Sequence, residues 1–159
     1  MLKWLWLSVV VIGLDQVSKY FASSSLNLHE PISVLPFFNL TLMHNQGAAF
    51  SFLSQAGGWQ RWFFTIIALV VTAVIVQWIR RLSSTETWMA AALSLIAGGA
   101  LGNVWDRIQL GYVVDFIDVY YGTWHWPAFN IADSAITIGA VMLIVEGFKG
   151  KRKSTPVTS

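Results

Sequence analysis

The chain contains no cysteine, so disulfides, thiolate metal sites and cysteine nucleophiles are excluded together. Histidine is nearly as scarce. His29, His44 and His125 show no H-E-x-x-H spacing, which argues against a zinc hydrolase. Charge is the third shortage: Asp, Glu, Lys and Arg make up 11% of 159 residues, under half of the roughly 25% usual in soluble domains. The formal net charge is only +2, so the placement of the basic residues says more than their sum.

Apolar residues fill the space left by charge. They reach 55%, and nine Trp and ten Phe are more than a small water-soluble core could hide. Tryptophan suits a bilayer, where it gathers at both interfaces. Four stretches are long enough to cross a hydrocarbon core of roughly 30 Å at about 1.5 Å per residue. They cover residues 4–21, 59–79, 88–105 and 129–148, and the expectation is one all-α integral membrane domain over 1–159. Lys3 and Ala22 give the first stretch some likeness to a secretory leader. Asp15 and Lys19 interrupt it before any cleavage point, so it reads as an uncleaved anchor.

Seven of the ten basic residues, Lys3, Arg80, Arg81, Lys149, Lys151, Arg152 and Lys153, flank one face of such a bundle. Positive residues mark the inner side, so both termini and the tail 149–159 are expected there, with loops 22–58 and 106–128 outside. The connection RRLSSTET is short, which makes spans two and three antiparallel neighbours. The outer loops read as structured. Phe38, Leu40 and Leu42 alternate with Asn39, Thr41 and Met43, and VVDFIDVYY is rich in β-branched and aromatic residues. A small sheet at the outer surface is expected.

Of the eight acids, Glu30, Glu86 and Glu146 are placed where they can be solvated or paired. Asp15, Asp106, Asp115, Asp118 and Asp133 all fall toward the outer face. An ionisable group within a spanning helix is costly and points to function, although Asp133 could also stabilise the positive end of its own helix. Asn130, three residues earlier, is expected on the same helical face. Asp15 and Lys19 are four apart and can neutralise one another. Arg107 is free to pair with Asp106 or with lipid headgroups. Gly98, Gly99 and Gly102 form a flat strip for close helix packing, and Asn103 and Arg107 point together at its outer end. In NQGAAF, Asn45 and Gly47 either make an ordinary turn or hold an extended peptide.

Either Asp115 or Asp118 could approach Asp133, and spacing alone leaves that open. Two adjacent carboxylates share a proton, so one can take a proton from water while the other donates to a peptide carbonyl. Such chemistry needs no metal, cysteine or histidine. A Ser134–His125 nucleophile pair is a weaker rival, since Ser134 stands in no nucleophile elbow.

Together, LDQVSK (14–19), NQGAAFSF (45–52), GGALGNVWDR (98–107), VVDF (113–116) and FNIADSAI (129–136) resemble lipoprotein signal peptidase (signal peptidase II), a family of bacterial membrane aspartic peptidases. The resemblance implies four transmembrane helices with a small β-sheet cradle at the periplasmic surface, in the cell inner membrane, with both termini cytoplasmic. It implies Asp115 and Asp133 as catalytic dyad and leaves Asp118 a structural or surface role. It places Asp15, Asn45, Gly47, Asn103, Arg107, Asn130 and Ala132 in the lining of the site, and calls for no metal or other cofactor. The implied substrate is a diacylglyceryl-modified prolipoprotein, cut just before its lipidated cysteine. The expected surroundings are membrane lipid around a monomer, with no nucleic acid. The alternative is a small proton-coupled membrane transporter, relaying protons through Asp15, Asp133 and Glu146.

Overall fold

The computed structural model describes residues 1–47 and 58–152, with side chains through 148. Residues 48–52 of the NQGAAFSF motif, Gly57, and the basic tail beyond 148 apart from its helical backbone lie outside that description. Four helices carry the apolar stretches: α1 (Leu5–Ser25), α2 (Trp59–Arg81), α3 (Thr87–Gln109) and α4 (Ile131–Arg152). A 3-10 turn, Leu2–Trp4, precedes α1. All four are long and apolar enough to cross a membrane. Their outer faces bear exposed Val9, Leu14, Ile66, Val70, Ile138 and Ile144, which only a lipid surround makes economical.

Helix α3 is the centre of the bundle. Its spanning window is 61% buried, against 28% or less in the other three, and it packs on α1, α2 and α4. Its glycines permit this. A Cβ on Gly98 would lie 2.8 Å from the Ser8 Cα of α1, and one on Gly99 would overlap the Ala132 carbonyl of α4. Contacts this close between backbones are how membrane helices associate without a hydrophobic driving force.

At the basic end, Ile75, Ile79, Leu93 and Ala97 form an apolar cluster flanked by Met1, Leu5, Leu82, Met89, Ile96 and Leu143. The chain start, the α2–α3 connection and the later part of α4 therefore share one end of the bundle. The other end is polar and meets the sheet.

That sheet has four antiparallel strands in the order β1 (Ile32–Leu35), β2 (Phe38–Asn45), β3 (Val113–Tyr121) and β4 (Trp124–His125). The α1–α2 and α3–α4 loops contribute two strands each, so α2 and α3 intervene between the neighbours β2 and β3. Met43 stands opposite Asp115, Asn39 opposite Asp118, and a bulge separates Leu40 from Met43.

The β2 strand forms where alternation puts it, but the residues it buries before the bulge are polar. Asn39 and Thr41 are buried, while Phe38 and Leu40 are only half-buried. The cause is Asp118 on β3, whose Oδ2 accepts hydrogen bonds from Asn39 Nδ2 at 3.2 Å and Thr41 Oγ1 at 3.1 Å. Buried donors need acceptors, and this strand meets its partner through them.

Candidate active site

Asp115 enters from β3 and is 1% exposed. Asp133 enters from the first turn of α4. Two asparagines tie them together. Asn130 Nδ2 donates to Asp115 Oδ1 at 2.7 Å and to Asn103 Oδ1 at 3.1 Å, and Asn103 Nδ2 donates to Asp133 Oδ1 at 2.7 Å. Asn130 is fully buried and also donates to the Val114 carbonyl at 3.2 Å.

Asn130 does not share a helical face with Asp133, as spacing led one to expect. The helix begins at Ile131, and Asn130 caps it: its Oδ1 accepts the Asp133 N–H at 2.9 Å. Asparagine is favoured at this position because its oxygen satisfies an otherwise orphaned helix N–H.

On the far side of Asp115, Asn45 Nδ2 donates to Oδ2 at 3.0 Å. The same amide's oxygen accepts the Gly47 N–H at 2.9 Å, closing a tight turn. Gly47 has φ +90°, and a Cβ there would lie 2.8 Å from Phe64, so conformation and space both call for glycine. The turn and the contact to Asp115 coexist, so Asn45 serves both.

Arg107 departs from its simplest expected pairing. Its guanidinium lies over the Phe64 ring at 5.7 Å and donates to the Asn103 carbonyl at 3.4 Å. Asp106 turns the other way, because adjacent helical residues do not share a face. Its Oδ2 takes Lys19 Nζ at 2.8 Å and the Val114 N–H at 3.0 Å.

Asp15 pairs with Lys19 at 2.8 Å as expected, and its other oxygen accepts the Ala132 N–H at 3.0 Å. Ala132 is fully buried against Gly99 and Gly102. Nine expected positions thus fall at one end of the bundle, linked by short hydrogen bonds or by packing. Lys19, Asp106 and Gln16 belong to the same mesh but were not among them. Lys19 and Asp106 signal themselves by charge at an apolar span, and a near neighbour in sequence accounts for each; uncharged Gln16 gives no such signal. A cavity of about 250 Å³ borders this mesh between α1 and α3, lined by Gln16, Lys19, Tyr20, Ser23, Trp105 and Asp106 among others.

The electrostatics separate the acids. Burial, and after it the charge of Asp133, pushes the Asp115 carboxyl up to about 7. Its bonds from Asn45 and Asn130 and the Lys19 charge only partly offset this. Burial also lifts Asp118, but hydrogen bonds from His125, Asn39 and Thr41 outweigh it and hold that carboxyl below the ordinary range. Asp118 is buried and committed to the sheet.

The remaining candidates lie elsewhere. Ser134 Oγ donates to the Asn130 carbonyl at 2.9 Å, and His125 Nδ1 sits 2.8 Å from Asp118 Oδ1, so these two do not form a nucleophile pair. Glu146 is 13 residues beyond Asp133 on one helix, about 20 Å away at 1.5 Å per residue. An apolar cleft of about 450 Å³ opens beside Asp133, lined by Trp126, Phe129, Ser134, Thr137 and Ile138.

Comparison with known proteins meets this geometry. A family model described as "Signal peptidase (SPase) II" matches residues 7–149. A protein of Pseudomonas syringae pv. tomato named "Lipoprotein signal peptidase" is 53% identical, covering 98% of this chain and 91% of its own length. One of the same name from Alteromonas mediterranea is 55% identical over 96% of this chain and 85% of its own. A bacterial membrane enzyme solved by the in meso method at 2.3 Å superposes with a TM-score of 0.86 at 33% identity, over all of this chain and 95% of that one. A second, at 1.9 Å, gives 0.80 at 35% identity over 92% of each. Four spanning helices joined to a small antiparallel sheet, and a match running almost end to end, make this multi-pass membrane protein a member of the signal peptidase II family of peptidases.

Proposed function

We propose that this chain is an aspartic endopeptidase that removes the signal peptide from diacylglyceryl-modified prolipoproteins, cutting just before the lipidated cysteine. It sits in the inner membrane of a bacterium as a monomer, with both termini cytoplasmic and the dyad near the periplasmic face. The observation that carries this reading is the Asp115–Asn130–Asn103–Asp133 chain of hydrogen bonds at the acid-rich end of the bundle.

The roles divide by environment. Asp115, buried and holding its proton up to about 7, is the acid that donates to the scissile carbonyl oxygen. Asp133, at a helix N-terminus and receiving the Asn103 amide, is the base that takes a proton from water. The water oxygen bonds to the carbonyl carbon, giving a tetrahedral intermediate. Asp133 then returns its proton to the leaving nitrogen as the C–N bond breaks, and Asp115 recovers its own from the intermediate's hydroxyl. Asn103 and Asn130 hold the two carboxyl groups in register for this exchange.

A lipid-anchored substrate suits the surroundings. Its signal helix and acyl chains remain in the bilayer, and the apolar cleft beside Asp133 lets them lie close to the scissile bond. The test is one precursor supplied with and without its diacylglyceryl group, incubated with the purified protein in detergent. Cleavage of the lipidated form is expected, with the unmodified form cut far more slowly. Failure to cut either would overturn the peptidase reading; equal rates would overturn the lipid requirement.

A further inference from the structure

Lys19 is 4% exposed in its side chain and stands in the spanning helix α1. Pairing with Asp15 accounts for only part of its surroundings. Its Nζ lies 2.8 Å from Asp15 Oδ2, 2.8 Å from Asp106 Oδ2 and 3.0 Å from Asn103 Oδ1. An ammonium has three hydrogens, so each has an acceptor. Gln16 Nε2 adds a second bridge, donating to Asp15 Oδ2 at 3.1 Å and to Asp106 Oδ1 at 2.9 Å.

Each of these acids also grips a piece of backbone. Asp15 Oδ1 takes the N–H of Ala132, the residue before Asp133, and Asp106 Oδ2 takes the N–H of Val114, the residue before Asp115. One cation therefore gathers two anions, and each anion holds the peptide just ahead of one dyad member. The third contact orients Asn103. Were its amide reversed, its NH2 would face the Lys19 ammonium and the Asn130 NH2, and its oxygen would face the Asp133 carboxyl. Donor against donor and oxygen against oxygen are both unfavourable, so the cation fixes which end of Asn103 meets Asp133.

We infer that Lys19 is a positioning residue for the Asp115–Asp133 dyad, setting its spacing through Asp15 and Asp106 and its hydrogen bonding through Asn103. The inference rests on the dyad reading above. The charged groups grouped around the dyad are Asp15 and Lys19 from α1, Asp106 and Arg107 from α3, Asp115 from β3 and Asp133 from α4. Lys19 favours the charged form of Asp115, so its loss moves the alkaline limb of the pH profile upward.

The experiment measures cleavage of a diacylglyceryl-modified prolipoprotein by the full chain in detergent. Wild type is compared with Lys19→Met and with Lys19→Met/Asp15→Asn/Asp106→Asn. In the triple variant the amide oxygens still accept the Ala132 and Val114 N–H groups, but no ammonium draws them together. Expected is a kcat about 100-fold lower in both variants, the scale of a misplaced reacting group. KM should stay within about threefold of wild type, since binding is not what is lost. In Lys19→Met the alkaline limb should also rise. Wild-type kcat, or a loss carried by KM with unmoved limbs, would overturn the inference. If Lys19→Met fails to fold with two acids left uncompensated, the neutral triple variant decides through its kcat and KM. A wild type that cuts no precursor overturns the dyad reading, and this inference falls with it; an active wild type with equally active variants overturns this inference alone.

Discussion

Asn130 and Asp133 cap α4 reciprocally: the Asn130 oxygen accepts the Asp133 N–H at 2.9 Å, and Asp133 Oδ2 accepts the Asn130 N–H at 3.3 Å. This is a capping box in which an aspartate takes the usual glutamate position. It reconciles two roles that at first look exclusive. One carboxyl oxygen stabilises the helix start, while the other, Oδ1, faces Asn103 and the dyad. An acid is tolerated at this depth because the helix end itself supplies part of its partnership.

Replacement of either dyad member by asparagine should abolish turnover without unfolding the protein. Asp133→Asn retains an oxygen for the Asn130 N–H, and Asp115→Asn keeps a side chain of the same size. Loss of at least 1,000-fold in kcat is expected, on the order seen when an acid or base is removed from a coupled pair. Near-wild-type cleavage by either variant, measured with helix content unchanged by circular dichroism, would remove that residue from the chemistry.

The raised Asp115 carboxyl links activity and stability to pH. With Asp115 as the proposed acid, kcat should fall as pH rises through about 7. Its proton affinity is higher folded than unfolded, so between the ordinary carboxylate value near 3.8 and about 7 the native state binds more protons. Stability therefore declines as pH rises across that window and levels off above it. The total is a few kcal/mol, at about 1.4 kcal/mol per tenfold change in proton affinity. Thermal unfolding of wild type minus Asp115→Asn, measured from pH 4 to 8, isolates this slope from other titrating groups; a flat difference would count against it.

Gly99 admits the Ala132 backbone, and a methyl group there would collide with its carbonyl. Gly99→Ala should push α4 away from α3 and carry Asp133 with it. Overpacking of this kind costs about 1–3 kcal/mol. Both Tm and kcat are expected to drop, whereas Gly147→Ala, whose added Cβ meets nothing within 4 Å, should leave both unchanged.

Asp118 is the second acid of β3 and sits three residues from Asp115. Asp118→Ala leaves the Asn39 and Thr41 donors without their acceptor, at about 1–3 kcal/mol each for a buried group. Protein that still folds should keep kcat within about threefold, because the dyad does not touch Asp118. A collapse of kcat with an unchanged Tm would reverse the roles given to the two acids.

Much of this was legible from residue order. Length and hydropathy located the four helices, because a membrane span needs continuous apolar residues and little else does. The strand character of 113–121 followed from β-branched and aromatic content. What stayed hidden was direction. Alternation could not say that Asn39 and Thr41 would turn inward, because the reason, Asp118, lies 77 and more residues away in the chain. Nor could spacing separate Asp115 from Asp118: three apart on one strand they take opposite faces, and residue order does not say which face meets Asp133; only the resemblance named Asp115. Sequence offers Lys19 and Asp106 each a plausible neighbour; Lys19 keeps its own, Asp15, while the added contact from Lys19 to Asp106, which joins α1 to α3, has no local signal.

The bundle is fastened differently at its two ends. Apolar Ile75, Ile79, Leu93 and Ala97 hold the basic end by packing, which does not rest on hydrogen bonds that water could replace. At the acid-rich end, ammonium, carboxylates and amides hold one another, and a cavity already borders them. A detergent that lets moisture seep between α1 and α3 would loosen those partnerships one by one while the helices still stand. Inactivation would then precede unfolding, because the proposed dyad sits in the half of the molecule that depends on staying dry.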